Sequence, residues 1–137
     1  MTASRLLWAV GLASAAIAVG AGVWLLRNFD PNAASSPFPP CMFHAFTGWY
    51  CVGYGLTRAL HALVHGDIAG AFAMNPLGML LLPLMPLMVA WGQGWQPRPL
   101  QPVMAVAMQP KLWLWVLPGY WVARNLPWVP FSLLAPG

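Results

Sequence analysis

The feature that most constrains this chain is an uncharged apolar run at residues 6–26, bracketed by Arg5 and Arg27. A helix rises about 1.5 Å per residue, so a run of this length crosses about 30 Å of hydrocarbon. A secretory signal peptide is the competing interpretation, but its apolar region is usually only about 7 to 15 residues long. Trp24, shortly before Arg27, is also typical of an interfacial belt. The run therefore predicts a first transmembrane helix at residues 6–26.

The composition extends this class to the whole chain. Of the 137 residues, 60% are hydrophobic and 6% are charged, which is too few to cover a soluble surface. We therefore expect one all-α integral membrane domain over residues 1–137, with about three transmembrane helices. The net charge of +4 comes from basic residues scattered singly, which argues against nucleic-acid binding and indicates membrane-edge anchors. These residues are Arg5, Arg27, Arg58, Arg98, Lys111 and Arg124.

The rest of the chain alternates proline-rich connections with apolar blocks. Residues 28–52 predict an exposed loop rich in cysteine and proline. Residues 76–92 predict a second transmembrane helix, opened by Asn75 and Pro76, although two further prolines lie inside it. Residues 96–102 predict a proline-broken turn. Residues 110–124 predict a short or tilted third transmembrane helix, followed by an interfacial tail.

Residues 53–74 predict a pair of short interfacial helices between the first and second spans. On a helix, the polar residues of GYGLTRALHALVHGD share one face by their i, i+4, i+7 and i+11 spacing. These residues are Tyr54, Arg58, His61 and His65, and the opposite face carries Leu56, Leu60, Leu63 and Val64. The pattern is that of an amphipathic helix at a membrane surface. Gly66 suits a left-handed stop, and Asp67 suits the N-cap of a second helix that ends at Asn75.

The motif residues carry a family resemblance. The stretch PPCMFHAFTGWYCVGYGLTRALHALVHGDIAGAFAMNPL, with the terminal RNLPWVPFSLLAP, resembles the bacterial membrane family catalogued as domain of unknown function 2752. That family reads roughly C-P-F-x-A-L-T-G-x-x-C-P-G-C-G-x-T-R-A, then H-G-D and N-P-L. The matching positions here are Cys41, Cys51, Gly55, Thr57, Arg58, Gly66, Asp67, Asn75 and Pro76. Tyr54 stands where the family has its third cysteine. The resemblance covers about residues 29–82 and the last dozen, and it implies a small multi-pass protein of the bacterial inner membrane with no established reaction.

The cysteines and histidines allow three interpretations. Cys41, His44, Cys51, His61 and His65 offer thiolate and imidazole ligands, but their spacing matches no closed zinc pattern, so we expect no cofactor. Cys41 and Cys51 would instead form a disulfide if their loop faced an oxidising compartment. The distribution of basic residues does not decide the orientation, although a cytoplasmic N-terminus is slightly favoured. Otherwise the two thiols are small buried groups.

The charged residues of the motif have a plain and a sharper interpretation. In the plain one, Arg58 contacts lipid phosphate and Asp67 only caps a helix. In the sharper one, Arg58, His61 and His65, with Tyr54, Thr57 and Asp67 of the same motif, bind an anionic headgroup or a carboxylate of a partner.

The inventory of catalytic groups is poor. The sequence has no Glu, no Gly-x-Ser-x-Gly and no phosphate loop, and its two acidic residues are Asp30 and Asp67. We therefore expect a noncatalytic membrane protein whose motif docks a partner subunit or a lipid headgroup. The alternative is a membrane-bound redox or metal-handling protein, with enzymatic activity undecided, that uses the Cys/His cluster.

Overall fold

The computed structural model describes residues 3–136, and all the regular elements in this range are helical. Helix α1 (Ala3–Asn28) contains the predicted span. An apolar window of 18 residues within it is not buried inside the protein, although Leu26 near its C-terminal end is. Within the described range it is the one helix that is long and apolar enough by itself to cross a membrane. The structure therefore supports one of the three expected spans on length and composition.

Helix α1 is followed by a connection that is not all loop. Within the predicted loop at residues 28–52, Met42–Thr47 forms the short helix α2, which ends at Gly48 with a φ of 73°. A positive φ suits glycine because it has no Cβ to clash with the backbone.

Helices α3 (Leu56–Val64) and α4 (Ile68–Met74) form the predicted helix pair and pack closely on each other. Their turn follows the local signals, since Gly66 has a φ of 83° and the Asp67 carboxylate accepts from the Gly70 N–H at 2.8 Å. Ala59 and Ala71 are fully buried at the contact because small side chains let two helices approach closely. Around them the buried Met79 and three leucines of α3, Leu56, Leu60 and Leu63, complete the core.

Helix α5 (Pro76–Gly92) starts where the sequence predicts, with Pro76 in its first turn. It is bent by 106° from α4 at Asn75, and the two helices meet the length and composition of a span only when taken together. Alone, its 17 residues reach about 25 Å.

The C-terminal part contains one helix that the sequence did not predict. After a 3₁₀ turn at Arg98–Leu100, helix α6 (Gln101–Ala107) occupies the end of the predicted proline-broken turn and the residues beyond it. Pro102 lies in its first turn, where a missing N–H breaks no intrahelical hydrogen bond. Met104 and Ala107 are buried.

Helix α7 (Pro110–Ala123) has nearly the predicted bounds, and its 14 residues reach about 21 Å. The tail then packs back onto the protein, because the 3₁₀ turn at Phe131–Leu134 contacts both α4 and α7.

Candidate functional site

The segment before α3 is shaped by Gly55 and is not helical. Gly55, the residue before α3, has a φ of 79°, and a Cβ there would lie 2.9 Å from the Met74 carbonyl oxygen. Only glycine fits this close approach in this conformation. The helix therefore starts at Leu56, and Tyr54 lies in the preceding turn. The prediction that Tyr54 shares a helical face with Arg58, His61 and His65 is wrong for this reason.

Arg124 joins the end of α7 to the motif. Its Nη1 donates to the carbonyls of Cys51 and Val52, both at 3.0 Å, and its Nη2 donates to those of Tyr54 at 3.1 Å and Met74 at 3.4 Å. The residue is 1% exposed. The prediction that Arg124 is a membrane-edge anchor is therefore wrong, since its charge satisfies backbone groups inside the protein.

Two asparagines complete this arginine junction. Asn75 caps α5 through Oδ1, which accepts from the Gly78 N–H at 2.9 Å and from the Tyr120 hydroxyl at 3.2 Å, while Nδ2 donates to the Val52 and Tyr54 carbonyls. Asn125 pairs with both backbone groups of Tyr50, accepting from its N–H at 2.8 Å and donating to its carbonyl at 2.9 Å.

No role in the motif was predicted from the sequence for Arg124 and Asn125, the two residues that follow α7. A signal for them existed, because the terminal RNLPWVPFSLLAP carries part of the family resemblance. In the structure, Arg124 and Asn125 at the start of that segment hydrogen-bond to the backbone of the motif.

A cavity of about 590 Å³ opens beside the junction. Its walls are the proline-rich segment 31–40, the start of α2, and residues 53–58. Five of the predicted site residues line it, namely Cys41, His44, Tyr54, Thr57 and Arg58. Arg58 is the one charged residue in this lining. Four predicted site residues lie outside the lining, namely Cys51, His61, His65 and Asp67.

An aromatic cluster adjoins the cavity, and its members His44 and Tyr54 line it. The His44 ring stacks on Tyr50 with centroids 4.9 Å apart, and Tyr54 lies 4.7 Å from His44 and 4.8 Å from Tyr50. Tyr54 thus occupies the family's third cysteine position with a ring that contacts His44. Nδ1 of His44 is buried without a hydrogen-bond partner, which is costly for a polar atom.

The two thiols lie together. The Sγ atoms of Cys41 and Cys51 are 3.4 Å apart, and both cysteines are free and half-buried. Burial is the largest influence on the Cys41 thiol and opposes ionisation, but the backbone N–H groups of His44 and Phe43 and the Cys51 thiol together hold its pKa below the usual value. Burial, with the neighbouring Cys41, raises the pKa of Cys51.

Of the two remaining histidines, His61 connects α3 to α1, and His65 bonds back to His61. Nδ1 of His61 donates to the Leu26 carbonyl at 2.7 Å, and Nδ1 of His65 donates to the His61 carbonyl at 2.8 Å. Nε2 of His61 lies 4.0 Å from the Asp30 carboxylate. The predicted histidine pair exists, with ring centroids 4.3 Å apart, but it faces the end of α1 and a shallow hollow beside Arg27.

Asp30 brings a negative charge near the cavity. Hydrogen bonds from the backbone N–H of Asn32, and then from its side chain, are the main causes that lower the pKa of the Asp30 carboxyl. Burial opposes them, and the nearby His61 and Arg58 lower the pKa slightly further. The exposed carboxylate is therefore ionised at neutral pH and partly compensates Arg58.

Metal ligands do not gather in the described part of the chain. Among residues 3–136, no three His, Cys, Asp or Glu side chains are arranged to hold a metal ion.

Over residues 3–136, fold and site together define an all-helical protein with one membrane-capable helix and a packed motif bearing cysteines and an arginine. Residues 41–89 match the model of a family described as "Protein of unknown function (DUF2752)". The resemblance inferred from the motif is thereby confirmed for residues 41–82, whereas the terminal segment lies outside the match. Searches of curated proteins and of solved structures find no match.

Proposed function

We propose that this chain is a noncatalytic multi-pass protein of the bacterial inner membrane whose cavity binds the phosphate of an anionic lipid headgroup. The observation that carries this proposal is the cavity lined by Arg58, which lies next to the end of α1. Its wall at residues 31–40 follows α1 directly, and His61 ties α3 to the Leu26 carbonyl. A planar guanidinium suits phosphate oxygens, and Thr57 supplies a hydroxyl beside it.

Exposed apolar side chains support the multi-pass arrangement. In α5, Leu80, Met85 and Val89 are each about 60% exposed, and in α7 Leu114 is 71% and Trp115 is 81% exposed. Soluble monomers rarely leave such large apolar patches in water, whereas lipid would cover them. We propose α5 and α7 as the second and third spans, with tilt or local bilayer thinning compensating for their short lengths.

In this arrangement α3 and α4 lie at the boundary between lipid and water. The leucines of α3 pack inward on Ala59, Ala71 and Met79, while Arg58 and His65 are on its more polar side. An amphipathic helix with one apolar and one basic face is stable at that depth. The cavity then opens at the level of lipid phosphates.

The test is lipid retention in native mass spectrometry of the detergent-purified protein. We expect the wild type to retain phosphatidylglycerol in preference to phosphatidylcholine, and Arg58→Gln to weaken that retention about tenfold. Arg98→Gln is the matched control, because Arg98 is exposed and lies outside the cavity lining. Asp30→Asn should strengthen retention, since it removes the charge that competes for Arg58.

Three outcomes would overturn the lipid proposal. Equal retention of the two lipids would remove the anion preference. Competition by inorganic phosphate alone, without any lipid preference, would indicate a free anion as the ligand. Copurification of one stoichiometric protein, lost in Arg58→Gln but not in Arg98→Gln, would assign the cavity to a partner subunit.

A further inference from the structure

We propose that Cys41 and Cys51 form a redox-active dithiol that exchanges with an external disulfide through the cavity, with Cys41 attacking first and Cys51 resolving. This inference shares the cavity with the lipid proposal but does not rest on it. The disulfide partner is either a small-molecule disulfide, such as that of glutathione, or a protein disulfide.

The distance between the sulfurs suits this chemistry. A disulfide bond is about 2.0 Å long, and the two Sγ atoms are 3.4 Å apart. The dithiol therefore becomes a disulfide when the two side chains move a short distance toward each other. The backbone at Cys51 is already held, because Arg124 donates to its carbonyl at 3.0 Å.

The surroundings assign different roles to the two sulfurs. Cys41 lines the cavity, whereas Cys51 is outside the lining and contacts Cys41. An incoming disulfide therefore reaches Cys41 first. The pKa values agree with this order, since that of Cys41 is lowered and that of Cys51 is raised, and the thiolate is the reactive form.

The exchange takes place in two balanced steps. The Cys41 thiolate attacks one sulfur of the external disulfide, whose S–S bond breaks, and the leaving thiolate takes a proton from water. Cys51 then loses its proton to solvent and attacks Cys41 Sγ, which releases the second thiol and forms the internal disulfide. The two protein thiols are oxidised, and the external disulfide is reduced to two thiols.

The test uses the full-length protein, reduced and then purified in detergent, with oxidised glutathione as the probe. After acid quenching and alkylation, we expect the wild type to have lost two hydrogens at the Cys41–Cys51 pair. Cys51→Ser should accumulate glutathione on Cys41, and Cys41→Ser should react at Cys51 about tenfold more slowly. Circular dichroism checks that both variants remain helical.

A second measurement needs no substitution. Brief exposure of the reduced wild type to a limiting amount of iodoacetamide should modify Cys41 before Cys51. The proposal fails if the wild type keeps both thiols in oxidised glutathione, or if Cys51 is alkylated first. It also fails if the two serine variants take up glutathione at the same rate.

Discussion

Two regions of this protein each contain an arginine among polar groups, and they use it differently. At the junction, the Nη atoms of Arg124 donate to four backbone carbonyls, and the residue is 1% exposed. At the cavity, Arg58 is half-buried in the wall of an open space, with the exposed Thr57 beside it. The first arginine is used within the protein, and the second faces a place for a ligand. Substitutions should therefore change stability at the junction and binding at the cavity.

The largest expected effect is that of Arg124→Met. The change leaves the carbonyls of residues 51, 52, 54 and 74 without their buried cationic donor. We expect the free energy of unfolding to fall by about 3 to 5 kcal/mol, measured by denaturation in detergent micelles. The control is Arg98→Met at an exposed position, which should change stability by less than about 0.5 kcal/mol. Equal effects of the two changes would mean that the junction does not stabilise the fold.

Asn75 should give the next largest effect, and two substitutions separate its roles. Asn75→Asp keeps the oxygen that caps α5 but loses the donor to Val52 and Tyr54, whereas Asn75→Ala loses both. We expect the free energy of unfolding to fall by about 2 to 3 kcal/mol for alanine. The loss for aspartate should differ from this value, and the same denaturation measurements give it separately. Asn28→Ala, at an exposed position, is the control. A negligible loss with both variants would contradict a structural role for this buried amide.

The sequence predicts the features that local chemistry determines. Gly66 and Asp67 mark the turn between α3 and α4, and Asn75 with Pro76 marks the start of α5, because capping and proline geometry act within a few residues. The apolar run at 6–26 predicts α1 because a long uncharged stretch has few other stable conformations. The structure contains each of these features.

Other features depend on contacts that periodicity does not show. The partners of Arg124 at Cys51 and Val52 are more than seventy positions away, and hydropathy alone assigns an arginine to a membrane edge. Tyr54 leaves the helical face because Gly55 adopts a left-handed conformation, which the i, i+4 spacing does not reveal. The cavity likewise exists only because distant segments meet.

A smaller effect, of opposite sign, is expected at the cavity for His44→Phe. Phenylalanine keeps the stacking with Tyr50 and removes the buried Nδ1 that lacks a partner. We expect the free energy of unfolding to rise by about 1 kcal/mol, because an unsatisfied polar atom is replaced by an apolar one. His65→Phe is the control, since His65 is exposed and its Nδ1 is hydrogen-bonded to the His61 carbonyl. A loss of stability in His44→Phe would show that the imidazole has a partner that stabilises it.

The smallest expected change in stability, and the one on which the comparison depends most, is that of Arg58→Gln. We expect unfolding in neutral detergent to change by less than about 0.5 kcal/mol, because the side chain faces the cavity and is not buried among backbone carbonyls. Adding phosphatidylglycerol should raise the melting temperature of the wild type and leave that of Arg58→Gln nearly unchanged, since a ligand stabilises only the protein that binds it. Arg124→Gln should show the reverse of both effects. Its melting temperature should be lower in neutral detergent, and phosphatidylglycerol should raise the fraction of this variant that still folds. If Arg58→Gln instead lowers stability as much as Arg124→Gln, both arginines are structural and the cavity has no charged ligand-binding residue.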